Sequence, residues 1–254
     1  MTDDATDDRG SDDADGESPA KPVLRERVWD DLEASGVARF PFPPHGRIPN
    51  FAGAPDAADR LAATDAWREA DVVKANPDAP QLPVRRAALR AGKTVYMAVP
   101  RLREPEPFLA LDPAEIPPAE HDRAPTVSHA DEYARPVDPE DLPDVDLVVS
   151  GSVAVTLDGA RVGKGEGFAD LEFAVLSELG AVDGSTVVAT TVHERQVVDS
   201  APVDVHDVPL DLVVTPQRTA WTDTPHARPG GVDWDALDAE TLAGIPVLRR
   251  LDPR

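Results

Sequence analysis

The sequence contains no cysteine. Disulfide cross-links, thiolate zinc sites and cysteine nucleophiles are thereby excluded. Lysine is scarce: Lys21, Lys74, Lys93 and Lys164 are the four in 254 residues, against 48 acidic side chains and a net charge of -23. Without a basic patch to neutralise a phosphodiester backbone, no nucleic-acid partner is expected. No apolar run approaches the roughly 20 residues of a membrane span, and the acidic N-terminal stretch is unlike a secretory signal. The expectation is a soluble, cytoplasmic protein with no membrane partner.

The negative charge is distributed along the chain. The first twenty residues hold eight acids and one base, so the remainder still carries -16. Acid-rich, lysine-poor and alanine-rich composition is that expected of a haloarchaeon-like source, where salt screens self-repulsion. An acidic surface reserved for one basic partner is the alternative. The 41% hydrophobic content is enough for a sizeable core. Residues 1–19 have no apolar periodicity and read as a disordered acidic tail, which leaves residues 20–254 as a single domain.

Lys21 to Ala34 reads as a helix with Leu24, Val28, Trp29 and Leu32 on one face and Ser35-Gly36 as its stop. Further helices are expected over Pro55–Ala70 (with a break near Thr64), Pro83–Arg90, Phe168–Leu179 and Asp235–Leu242. Strands are expected at Asp71–Lys74, Thr94–Val99, Asp146–Ser150, Val153–Thr156, Thr186–Val192, Gln196–Val198 and Leu210–Thr215. Residues 111–143, rich in Pro, Asp and Glu, read as a long surface excursion, with room for a short strand or turn inside it. Strands alternating with helices point to an α/β fold, three layers α/β/α around a mostly parallel sheet.

Between an apolar strand and a helix lies Arg161-Val162-Gly163-Lys164-Gly165-Glu166-Gly167-Phe168-Ala169-Asp170. Three alternate glycines let backbone amides approach an anion, and the helix start beyond them adds a favourable dipole. The spacing is neither that of a Walker loop nor that of the dinucleotide fingerprint. One of the four lysines falls inside the loop and Arg161 flanks it, so two cations and a row of amides can serve one phosphate. Glycine at a strand–helix junction also has purely conformational uses.

This run resembles the R-x-G-x-G-x-G-Y-Y-D-R signature of the 5-formyltetrahydrofolate cyclo-ligase family. Lys21 and Arg25 resemble its N-terminal K-x-x-x-R pair, and His206-Asp207-Val208-Pro209-Leu210-Asp211 its C-terminal histidine–aspartate strand entry. Arg47–Phe51 (RIPNF), Val99–Leu102 (VPRL), Gly163–Glu172 (GKGEGFADLE) and Gln196–Asp199 (QVVD) resemble the methenyltetrahydrofolate-synthetase-domain-containing branch. The likeness implies a cyclo-ligase-like, Rossmann-like fold and an enzyme using ATP and Mg²⁺ on a small folate-like or otherwise formylated substrate. In that family ATP phosphorylates the formyl oxygen of 5-formyltetrahydrofolate, a ring nitrogen closes the five-membered ring, and phosphate leaves.

By the same resemblance, Arg161 and Lys164 are catalytic. Lys21, Arg25, Gly163, Lys164, Gly165, Glu166, Gly167 and Phe168 hold the nucleotide, and Asp170 and Asp207 hold Mg²⁺. Each has a plainer reading: a solvated i, i+4 pair for Lys21 and Arg25, a helix-dipole acid for Asp170, a turn before a strand for His206-Asp207. His193-Glu194 is not a metal site by itself. The family's tyrosine pair is Phe168-Ala169 here, its following arginine is Leu171, and the glutamate of its E-x-x-T pocket segment has no clear counterpart in Asn76–Pro83. Two other functions are therefore compatible with the likeness: a paralogue serving another cofactor pathway such as thiamine metabolism, and a non-catalytic nucleotide-binding module. A monomer or small homo-oligomer is expected.

Overall fold

The computed structural model describes residues 19–254, so the expected tail, apart from Pro19, lies outside the described residues. Lys21–Ala34 forms helix α1 with Leu24, Val28, Trp29 and Leu32 buried, as the spacing requires. A two-stranded antiparallel ladder of β1 (Ala38–Arg39) and β2 (Asn50–Phe51) follows. Helices α2 (Ala54–Ala62) and α3 (Asp65–Glu69) are separated by Thr64, whose side chain accepts from the Trp67 amide and caps the second. The expected break near Thr64 is this cap.

Next come β3 (Val72–Ala75), α4 (Leu82–Arg90), β4 (Thr94–Ala98) and β5 (Phe108–Leu111). The chain continues through α5 (Ala130–Tyr133), β6 (Arg135–Val137), β7 (Leu147–Val149), and the hairpin of β8 (Ala154–Val155) with β9 (Arg161–Val162). It ends with α6 (Phe168–Glu178), β10 (Val187–Thr191), β11 (Leu212–Val214), β12 (Thr219–Trp221), α7 (Ala239–Gly244) and α8 (Pro246–Leu251).

The main sheet has eight strands in the order β12-β11-β10-β7-β3-β4-β5-β6. The five inner strands are parallel, and β12, β5 and β6 add to the two edges antiparallel. Both faces are covered, as a parallel sheet requires. Within β7, Leu147 and Val149 face the core under α2 and α4, while Val148 faces the core under α6 and α8. A third cluster packs Leu24, Val28, Trp29 and Leu32 of α1 against Val153, Ala154 and Val162 of the hairpin. That contact fixes where the N-terminal cations lie.

Three expectations are corrected. Residues 111–143 do hold a short strand, β6, but they are not confined to the surface: Leu111, Ile116, Ala124, Ala130 and Val137 are buried. Edge strands tolerate the proline of Arg135-Pro136-Val137, which hid β6 in the sequence. Around Gln196–Val198 the chain makes a 3-10 turn (Glu194–Gln196) capped by His193, with a single bridge from Val197 to Val155. The last helical signal is displaced to α7, and the apolar Ile245–Leu248 run opens α8. No helix among the described residues is long and apolar enough to cross a membrane.

Candidate functional site

In this sheet β4 lies on one side of β3 and β7 on the other. Strand order reverses there, and a crevice opens beyond the carboxyl ends of the strands on either side of such a point. It holds a cavity of about 300 Å³. Asn76, Pro77 and Asp78 after β3, Ala98 to Arg101 after β4, Gly151 after β7, and the glycine loop with the first turn of α6 line it.

The glycine loop is shaped by its own backbone. Gly165 (φ +105°) and Gly167 (φ +71°) occupy the left-handed region, which disfavours any residue with a Cβ. A Cβ at Gly165 would stand 3.3 Å from the Arg25 guanidinium. Arg25 Nε donates to the Gly163 carbonyl at 2.7 Å. Its pKa is lowered by burial, which the neighbouring Asp207 opposes. One turn earlier on α1, Lys21 pairs with Asp207 and with Asp204 (2.7 Å). Lys164 projects from the loop and pairs with Glu166 at 2.6 Å, and Arg101 reaches the same carboxylate at 3.2 Å. These two pairings hold Glu166 below the usual carboxylate range, the Lys164 hydrogen bond most of all. Arg25 and Lys164 thus meet at the loop, and Lys21 is linked to it through Asp207, whose charge acts on Arg25.

Arg161 and Asp170 sit beneath the loop. Arg161 is buried; Nη2 donates to both oxygens of Asp170 at 2.6 Å, and Nη1 donates to the Gly151 carbonyl at 3.0 Å. Asp170 also accepts from the Val208 amide at 3.0 Å. Burial favours the neutral acid, but the Arg161 charge and hydrogen bonds prevail and hold Asp170 below the usual range. Both Asp170 oxygens accept from Arg161, and both residues line the crevice. Asp204, His206 and Asp207 do bring one ligand atom each within 4.8 Å of one another. His193 and Glu194 act structurally: His193 accepts from the Arg195 amide, and Glu194 takes Thr215 and Arg218.

Several residues on the opposite wall escaped the sequence reading. Buried Lys74 pairs with Glu172 of α6, and Asn76 Nδ2 donates to the same carboxylate at 3.1 Å. Asn76 Oδ1 accepts the Gly151 amide at 3.1 Å, which ties β3 to β7 at the cavity floor. Buried Arg85 donates to the carbonyls of Asn76, Pro77 (3.1 Å) and Asp78 (3.2 Å), fixing that segment; burial lowers its pKa to about 10. The segment without a clear counterpart to the family glutamate therefore does supply a carboxylate, Asp78. No hydrogen bond to its side chain occurs among the described residues. Burial raises its pKa, nearby Glu172 adds to the rise, and Lys164 opposes it. The one legible signal was a lysine inside an apolar strand of a lysine-poor chain.

A carboxylate whose folded pKa is raised adds stability below its unfolded pKa and loses it as pH rises through the folded value. Asp78→Asn is therefore expected to raise Tm at pH 7, by about 2–4 °C for each kcal/mol of relief. The gain should disappear when melting is repeated near pH 3. An unchanged Tm at pH 7 would mean that the carboxylate is already well solvated.

Residues 17–216 match the 5-formyltetrahydrofolate cyclo-ligase family. The chain is 42% identical over 243 residues to a methenyltetrahydrofolate synthase domain-containing protein of Mus musculus, covering 94% of this chain and 64% of that protein. Against the protein of the same description from Homo sapiens it is 38% identical over 240 residues, covering 92% and 62%. The chain thus spans less than two thirds of the length of these relatives. The fold resembles the 5,10-methenyltetrahydrofolate synthetase of Aquifex aeolicus, with a TM-score of 0.51 at 18% identity over 85% of this chain and 99% of that one. With the glycine loop and the α1 cations where that family's motifs lie, the chain belongs to the 5-formyltetrahydrofolate cyclo-ligase family.

Proposed function

We propose that the chain binds ATP at the glycine loop and is an ATP- and Mg²⁺-dependent cyclo-ligase acting on 5-formyltetrahydrofolate or a closely related formylated heterocycle. The observation that carries this reading is that Arg25 and Lys164 meet at the Gly163–Gly167 loop, with Lys21 one turn before Arg25 on α1, beside a crevice whose far wall bears Asp78 and Glu172. Lys21, Arg25 and Lys164 neutralise phosphate oxygens, and the loop amides orient them. Asp78 and Glu172 accept hydrogen bonds from ring N–H and amino groups, which orients the formyl oxygen towards the loop. ATP supplies the phosphoryl group that makes that oxygen a leaving group. Mg²⁺, a hard cation, takes oxygen donors of the kind Asp207 and Asp204 offer, and it offsets phosphate charge.

A related substrate is the second reading. Ala169 and Leu171 stand where the family has tyrosine and arginine, and Lys74 occupies one side of Glu172. In that form the chain serves another cofactor pathway and leaves folate untouched.

The test is methenyl absorbance with 5-formyltetrahydrofolate, ATP and Mg²⁺ in low and molar KCl, alongside direct ATP binding. Turnover is expected, and Lys164→Ala should lower it by about 10²–10³-fold, the scale of one lost charge-stabilising donor. ATP binding without turnover favours the related substrate. Absence of ATP binding sinks both.

A further inference from the structure

Among the described residues, three that are not glycine have a left-handed backbone: Arg101, Leu102 and Asp223. Two of them are consecutive, at φ +59° and +52°, in the turn Pro100–Leu102 that follows β4. A Cβ makes this region unfavourable, so the surrounding fold must impose it. Leu102 is fully buried in the cluster that holds Phe108 and Val137, and its amide donates to the Val99 carbonyl at 3.1 Å. The Val99 amide donates in turn to the Pro107 carbonyl at 2.8 Å. With Leu102 sunk into the core, Arg101 is left at the wall of the crevice. Backbone strain of this kind clusters at ligand clamps and active sites.

Three cations line the crevice: Arg101, Arg161 and Lys164. Arg161 is buried and held by Asp170. Arg101 and Lys164 are 51% and 36% exposed and share a single carboxylate, that of Glu166. Lys164 takes Oε2 at 2.6 Å, and Arg101 Nη2 donates to Oε1 at 3.2 Å. Two cations from two different loops thus close on one small anion. Ion pairs this exposed add little to folding and can exchange for a stronger acceptor. A phosphoryl group is such an acceptor, with three oxygens at similar spacing and more charge.

We propose that Arg101 is a clamp for the terminal phosphoryl group of ATP, taking with Lys164 the position that the Glu166 carboxylate marks. The inference rests on the phosphate site proposed above. Arg25 holds the Gly163 carbonyl on the α1 side of the loop, and Lys21 lies one turn before it. The inner phosphates belong on that side. The terminal one belongs at the crevice, facing a substrate held near Asp78 and Glu172. Glu166 then acts as a built-in competitor, which keeps both cations in place and yields them to a group of higher charge. Arg101 thereby sets a preference for triphosphate over diphosphate.

Calorimetric titrations of the full chain with ATP and with ADP, at equal Mg²⁺ in molar KCl, test the assignment. Glycine adopts φ +59° freely, so Arg101→Gly removes the side chain and keeps the turn. Its Tm should stay within about 2 °C of wild type. It should weaken ATP about tenfold, the scale of one hydrogen bond to a charged group, and leave ADP within about twofold. Arg101→Asn, also tolerant of the left-handed region, should repeat the pattern and replaces the first variant if that one misfolds. Glu166→Gln should tighten ATP by about threefold, because a neutral amide competes less. Weaker ATP binding by that variant would make Glu166 a holder of the ligand or its metal, and overturns the competitor. Unchanged ATP affinity in Arg101→Gly, or equal loss of ATP and ADP, overturns the clamp while leaving the phosphate site standing. Wild-type protein that binds neither nucleotide overturns the phosphate site, and the clamp with it.

Discussion

Replacing Lys74 by methionine is expected to cost about 3–5 kcal/mol of folding stability, the scale for stranding one partner of a buried ion pair. The Lys74 and Glu172 side chains are 1% and 7% exposed, so little water can solvate the abandoned carboxylate. Asn76 supplies one hydrogen bond to it, which is not enough to replace an ammonium. Lys74→Met combined with Glu172→Gln should recover most of the loss, because the uncompensated charge is gone and Asn76 keeps an acceptor. Urea unfolding at fixed KCl measures both. A single variant within about 0.5 kcal/mol of wild type, the range of ordinary surface changes, would contradict this account. The pair also has a functional consequence: it holds Glu172 at the cavity wall, so the single variant should weaken binding of a heterocyclic substrate more than binding of ATP.

Asp170→Asn is the second large effect, also about 3–5 kcal/mol, because it leaves the buried Arg161 guanidinium without its counter-charge. The sign with pH is set by the depressed carboxyl. Its stabilisation is present above the unfolded pKa of about 3.9 and is lost as pH falls through the lower folded value. The gap between wild type and variant should be full at pH 7 and close in strong acid. Tripolyphosphate affinity should fall as well, since Arg161 packs under Gly163, where a Cβ would lie 3.2 Å from Nη1. If Asp170 were instead an open metal ligand, the substitution would change the Mg²⁺ requirement and leave stability nearly intact. Melting curves at two pH values, read beside a Mg²⁺ titration, separate the roles.

Asp78 and Asp170 show why identical side chains could not be told apart in the sequence. Both are half-buried acids lining the same crevice, yet one is raised by desolvation and the other depressed by a guanidinium. The partner decides the sign, and the partner is set by the fold. For Asp170 it lies nine residues earlier, on the other side of the glycine loop. For Asp78 no side-chain hydrogen-bond partner occurs among the described residues, and it lines the crevice beyond the end of β3. The same holds for β5 and β6: an edge strand with proline has no strong local pattern, and only pairing with β4 makes it a strand.

The sequence by itself determined what is local. The α1 face, the Thr64 break, the parallel-sheet strands and the glycine loop each follow from side-chain spacing or from φ values only glycine readily adopts. They were legible for that reason. So was the family, because its motifs are short contiguous runs. The tertiary structure alone decided what depends on residues far apart in the chain. It joined Lys74 to Glu172 across 98 residues, turned Asp170 from the solvent towards Arg161, and brought Asp78 to the crevice. It also folded residues 229–241 against α6, beside the glycine loop. Contacts of that kind arise from packing two core layers on one sheet, and no periodicity within a window of residues encodes them.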